Sequence, residues 1–138
     1  MVFDRFVNLV IKRIVLIVST NYYLHQKSES SCSHCGHDPG ERILHIGKSS
    51  YGWCFSLHVI PELGINGLYD WIPLWNNHQI KNEYDEIITP SDMLGIITLR
   101  APGNYSPIGV EPRRNELDGE SCIGHGEGSW DLIRGDFS

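Results

Sequence analysis

From Trp53 to Ile60 apolar and polar residues alternate, with Trp53, Phe55, Leu57 and Val59 on one side and Cys54, Ser56 and His58 on the other. A period of two is that of a strand with one face buried and one face polar. Tyr22-Tyr23-Leu24-His25 and Ile43-Leu44-His45-Ile46 predict two strands ahead of it, and Tyr84–Ile88 and Trp130–Ile133 predict two behind it. Gly47-Lys48-Ser49-Ser50-Tyr51-Gly52 is expected to be the connecting loop, and Asp38-Pro39-Gly40 a turn. One helix has a complete start signal: Thr89 as N-cap, Pro90 at the first position, and Asp92 where the helix dipole favours a carboxylate. It is expected to run over about 90–99 and to bury Met93, Leu94 and Ile97. Residues 61–78 read as irregular, with Trp71 and Trp75 sealing a cluster, and 101–121 read as loop with little to bury. The predicted class is α+β: a small zinc-knuckle domain of short antiparallel strands with one or two helices.

The first 18 residues differ from the rest. They are apolar but broken by Lys12 and Arg13, and the run Ile14–Val18 is far short of the roughly 20 residues that span a bilayer. Asp4 lies in the basic part and no small-x-small site follows, so the layout is not that of a signal peptide. We read 1–18 as an extension, in keeping with a start codon assigned too early, and 19–138 as one domain.

Charge follows the same division. Residues 1–20 carry three basic groups and one acidic group, net +2, while the remainder carries eight basic and 16 acidic, net −8. An acidic body repels phosphate backbones, which disfavours nucleic acid as a partner and suits a protein instead. Four cysteines without a secretion layout point to a reducing cytoplasm, where thiolates bind metal rather than each other.

The sharpest chemical signal is Cys32-Ser33-His34-Cys35-Gly36. Two thiols spaced C-x-x-C can point at one Zn2+ ion, and the following glycine permits the tight return. Zinc in a structural site takes four ligands. The expected set is Cys32, Cys35, His45 and His58, because the two histidines sit on neighbouring predicted strands. Cys54, which shares the face of His58, and the pair Cys122-x-x-His125 are alternatives for the last two places. His34 and His37 read as exposed loop residues, and His25 and His78 have no partner spacing.

Gly124-His125-Gly126-Glu127-Gly128 reads as a Gly-rich turn before the last strand. Its functional alternative is a hydrolase loop, with His125 and Glu127 as an acid–base pair beside an open zinc site. Gly47-Lys48-Ser49 is not a phosphate loop, because Arg42 stands where the motif needs its first glycine. The acidic body and the lack of a His-His or Asp-His pair at matching distance ahead of Asn76-Asn77-His78 argue against an HNH-type nuclease.

The string Cys32-x-x-Cys35-Gly36 … His45-Ile46-Gly47-Lys48-Ser49-Ser50-x-Gly52-Trp53-x-Phe55, with the closing Gly124–Gly128 run and Phe137-Ser138, resembles a group of uncharacterised small proteins encoded by phages and prophages. The resemblance covers roughly residues 20–138. It implies a mobile-element origin and a zinc site, and by analogy action on a host protein, including defence systems, in the host cytoplasm. It implies no reaction.

Overall fold

The computed structural model describes residues 19–27 and 41–137. Seven strands are present: β1 (Thr20–Lys27), β2 (Glu41–Ser49), β3 (Phe55–Val59), β4 (Gln79–Asn82), β5 (Ile87–Ile88), β6 (Cys122–His125) and β7 (Trp130–Arg134). Two helices join them, α1 (Leu68–Asn77) and α2 (Pro90–Thr98), with a short 3-10 turn at Pro61–Leu63. The strands form one sheet in the order β5-β4-β1-β2-β3-β7-β6. Every neighbouring pair is antiparallel except β3–β7, which is parallel in the register Phe55↔Trp130 to Val59↔Arg134. The class is therefore α+β, but the sheet is a wide mixed one rather than a set of short antiparallel strands. The parallel pair needs a crossover, and the stretch between β3 and β7, carrying both helices, supplies it.

Both helices cover one face of the sheet. Tyr22, Leu24, Ile46, Phe55, Leu57, Ile80 and Trp130 meet Leu68, Trp71, Trp75, Met93 and Ile97 there in one core. β3 keeps the predicted alternation, with Phe55, Leu57 and Val59 buried and Ser56 and His58 half-buried on the opposite face. Trp53 departs from it: the residue lies before the strand and is 37% exposed. α2 begins as predicted, with the Thr89 hydroxyl accepting the Asp92 N–H at 3.1 Å and Met93 and Ile97 buried. Leu94, expected inside, is exposed, because a nine-residue helix turns only one narrow stripe to the sheet.

Four other expectations are corrected. Residues 61–78 are not irregular, since they contain α1. Pro73 inside α1 removes the bond to the Tyr69 carbonyl, a cost of about 3 kcal/mol in a helix interior. Trp71 and Trp75, four residues apart, are both buried, and each indole withdraws roughly 200 Å² from water, on the order of 5 kcal/mol. That burial outweighs the proline. The Trp71 indole N–H also donates to the His58 carbonyl at 2.8 Å, fastening α1 to β3. Gly47, Lys48 and Ser49 belong to β2 rather than to a loop, and the connection to β3 starts only at Ser50. Gly47 faces the core, where a Cβ would lie 2.4 Å from the Phe55 ring. Of Tyr84–Ile88 only Ile87–Ile88 is strand, after a turn in which the Asn82 carboxamide oxygen accepts the Tyr84 and Glu86 N–H groups. Cys122–His125 is strand, so the Gly-rich turn is confined to the residues after it.

Among the described residues no helix is long and apolar enough to cross a membrane. Residues 1–18, Cys32, Cys35 and the Asp38–Gly40 turn lie outside the described residues.

Candidate functional site

The sheet face opposite the helices holds the polar chemistry, and a bulge in β2 decides what stands on it. Tyr22 pairs with Gly47 and Tyr23 with His45, so Ile46 is an extra residue in β2. Ile46 turns into the core with no exposure. Without the bulge His45 and Lys48, three apart, would face opposite ways; with it both reach the outer face.

His45 lies beside His58, with ring centroids 5.4 Å apart. His58 Nδ1 is 3.0 Å from the His45 carbonyl, and a carbonyl only accepts, so Nδ1 carries the proton and Nε2 keeps its lone pair. His45 faces two partners: Nε2 is 2.9 Å from Asn21 Oδ1, and the ring also lies within hydrogen-bond reach of the Gly47 backbone. Burial, helped by the neighbouring His58, lowers the His45 pKa to about 4, against the pull of the Gly47 bond and Asp136. His45 is thus neutral at physiological pH. Phe137 completes the cluster, edge-on to His45 at 4.7 Å and to His58 at 5.1 Å.

From this cluster a groove of about 560 Å³ runs along the outer face. Lys48 and Ser56 face each other across β2 and β3, Trp53 and Phe137 give apolar walls, and Asn115 and Asp118 form the far side. The 101–121 stretch, expected to bury little, builds that wall. Arg113 pairs with Trp53 through Arg113 N–H to the Gly52 carbonyl and Cys54 N–H to the Arg113 carbonyl, both at 2.8 Å. Asp131, fully buried on β7, then anchors the next two residues. It accepts Arg114 at 3.2 Å, the Asn115 backbone N–H at 2.8 Å and the Asn115 carboxamide at 3.0 Å. Asp118 closes the turn by accepting the Glu120, Ser121 and Cys122 N–H groups, bonds that hold its carboxyl below the usual range.

His125 stands next to Asp131 across β6 and β7, 3.7 Å from its carboxylate, and donates from Nε2 to the Asn115 carbonyl at 2.9 Å. Its lone pair is therefore on Nδ1. Glu127 accepts the Tyr69 hydroxyl at 3.2 Å, and His125, Glu127 and Tyr69 line a separate hollow of about 170 Å³. The glycines around them have a packing cause. A Cβ at Gly126 would fall 2.0 Å from Trp130 Nε1, and one at Gly128 would fall 2.7 Å from the same indole. The repeated glycine lets the Trp130 ring lie flat on the backbone.

Of the expected ligands, the structure brings His45 and His58 together, while Cys32 and Cys35 fall outside the described residues. Cys54 is buried beneath the Pro112 carbonyl and Cys122 beside Asn115, and burial raises both thiols. His125 is two strands from β3 and level with Ser56 rather than His58, roughly 12 Å away between backbones. Among the described residues no three His, Cys, Asp or Glu side chains converge as a metal group would. For zinc, His58 fits as it stands: Nε2 is a free lone pair and Nδ1–H is oriented by a carbonyl, the usual support of a metal-bound imidazole. His45 fits only after releasing Asn21.

Asn115, Asp118 and Asp131 were not picked out as a site from the sequence. Of the groove residues, Ser56 was placed by the alternation it shares with His58, and Cys122 was singled out as an alternative ligand. Compared with protein-family models, curated proteins and solved structures, the chain finds no match.

Proposed function

We propose that the chain is a zinc-stabilised accessory protein of phage type that works by binding a host protein in the cytoplasm, with the outer-face groove as its contact. The observation that carries the reading is the groove itself. It joins a cation, hydroxyls, a carboxamide, carboxylates and two aromatic walls on an ordered face, the composition of a recognition surface. Its cysteine, Cys122, is buried with a raised pKa and is a poor nucleophile. Zinc is assigned to Cys32 and Cys35 with His58 and His45 as partners, and its role is to supply folding free energy.

The test has two parts. Elemental analysis is expected to find one zinc per chain, lost with Cys32→Ser and His58→Ala and kept with His125→Ala. Affinity purification from host cells then compares the wild type with Ser56→Trp, which fills the groove. Partners retained equally by both proteins would remove the groove as contact, whatever the metal result.

A second reading is a zinc-dependent hydrolase. It is favoured by one observation: His125, with its lone pair on Nδ1 and Asp131 behind it, shares a hollow with Glu127. It requires that Glu127→Gln abolish hydrolysis in a folded protein. The packing reason for the glycines makes it the weaker of the two.

A further inference from the structure

We infer that the cleft between His45 and His58 is a subsite for an aromatic side chain on an extended partner peptide, held until binding by the chain's own Phe137. This deepens the binding reading above and rests on it.

What the chain itself seats there defines the chemistry. After β7, Gly135 adopts φ +86, a left-handed conformation that favours glycine, and turns the chain back over the outer face. Phe137 then meets both imidazoles at interplanar angles of 66° and 71°, the edge-on geometry that aromatic quadrupoles prefer. Both partner rings are held by bonds that zinc binding can leave in place, His58 by the His45 carbonyl and His45 by the Gly47 backbone. The cleft is therefore preformed rather than shaped by its occupant. Asp136 lies close enough to act electrostatically on His45. Among the described residues, Gly135, Asp136 and Phe137 make no hydrogen bond to the rest of the fold, and Phe137 is seated by apolar and ring contacts. An occupant held this way is displaceable.

Phe137 is also one wall of the groove. Moving its ring out joins the histidine cleft to the polar channel past Ser56 and Asn115. The occupant that fits the joined site is a protein segment with an acidic residue followed by an aromatic one, matching Asp136-Phe137. Its ring enters the cleft, its carboxylate lies on the side of Lys48, and its backbone runs along the hydroxyls and carboxamide. The imidazoles serve the ring as aromatic walls, which leaves His58 Nε2 and, once Asn21 is released, His45 Nε2 to the zinc proposed above.

The probe is the acetylated, amidated peptide Gly-Asp-Phe-Ser, added to full-length wild type and to full-length Phe137→Ala. The imidazole proton signals of His45 and His58 are followed by NMR. Phe137→Ala is expected to stay folded and to bind the probe, with shifts confined to these two histidines and to groove residues. The wild type is expected to bind about tenfold more weakly, because its tethered ring holds the same place at high effective concentration. Gly-Asp-Ala-Ser is expected to bind neither. An unfolded Phe137→Ala protein would show that the ring belongs to the core and would overturn the inference. So would equal binding by the two proteins, or shifts explained by a concentration-dependent dimer that exchanges tails. If Ser56→Trp loses its partner while Phe137→Ala takes up no probe, the groove stands and the aromatic subsite falls. If the probe binds but Ser56→Trp keeps every partner, the subsite stands and the groove reading fails.

Discussion

Arg100 is the most exacting test of how the groove rim is held. It follows α2 and is only 4% exposed, yet its partners among the described residues are all neutral. Nε donates to the Trp53 carbonyl, one terminal nitrogen to the Ser49 hydroxyl and the other to the Ser50 carbonyl, each at 2.8 Å, with a further bond to the Ile96 carbonyl at 3.2 Å. The guanidinium also lies 4.3 Å over the Tyr105 ring. Burial lowers its pKa to about 10, partly opposed by Tyr105, Tyr22 and Cys54. The residue therefore bears a desolvation cost that four hydrogen bonds from a planar fork offset. Arg100→Met removes the charge but leaves the Trp53 carbonyl without its donor and the Ser50 carbonyl with only the Trp53 N–H, together about 2 kcal/mol, and forfeits the cation–π contact at about 1 kcal/mol. A total of about 3 kcal/mol follows, a large share of the 5–15 kcal/mol available to a domain. Arg100→Lys is the informative partner. An ammonium is more strongly hydrated and lacks the fork, so lysine in this hole is expected to be no better than methionine. Urea unfolding followed by tryptophan fluorescence gives both values. Arg100→Lys within about 1 kcal/mol of wild type would refute the reasoning, because charge alone would then suffice and the fork would not matter.

Three further outcomes are expected. Gly47→Ala sets a Cβ 2.3 Å from the Ser56 carbonyl oxygen and should cost about 2–3 kcal/mol, whereas Gly52→Ala meets no atom and bears only the strain of φ +87, about 1 kcal/mol; urea midpoints of the two variants check the order. Asp131→Asn keeps the shape but loses the charge facing Arg114, so a loss of about 2 kcal/mol is expected, with faster amide exchange at Asn115 as the groove wall loosens. The folded pKa of His45 lies below its unfolded value, so between pH 6.5 and about 4 the unfolded chain binds more protons. Stability should then fall as pH drops through that window and level off below it, by roughly 2 kcal/mol once solvent screening is allowed for. With a chelator present, His45→Gln should flatten this part of the urea-midpoint profile, and an unchanged slope would show that another group causes it.

Local physics made some of the chain legible. The Thr89-Pro90-Ser91-Asp92 start of α2 works within one turn, so it reads the same in a peptide as in the fold. The alternation of β3 is likewise local, and it placed Ser56 and His58 on the polar face correctly. The neighbouring positions of His45 and His58 followed from two consecutive strands. Tertiary structure decided the rest, because the deciding contacts join distant residues. α1 was hidden by Gly67 and Pro73, whose local cost is offset only when Trp71 and Trp75 enter the core shared with the sheet. β7 pairs in parallel with β3 from some 75 residues away, a choice that no periodicity announces. The Ile46 bulge reverses which side of β2 faces out, so a strict period of two misplaces either His45 or Lys48. Asn115 and Asp118 reach the groove because Asp131, buried without exposure, holds the preceding stretch in place. The sequence by itself determined the strand-rich α+β class, one helix start and the polar stripe through His58; the groove, its wall and the ring that fills its end exist only where the packed sheet brings them together.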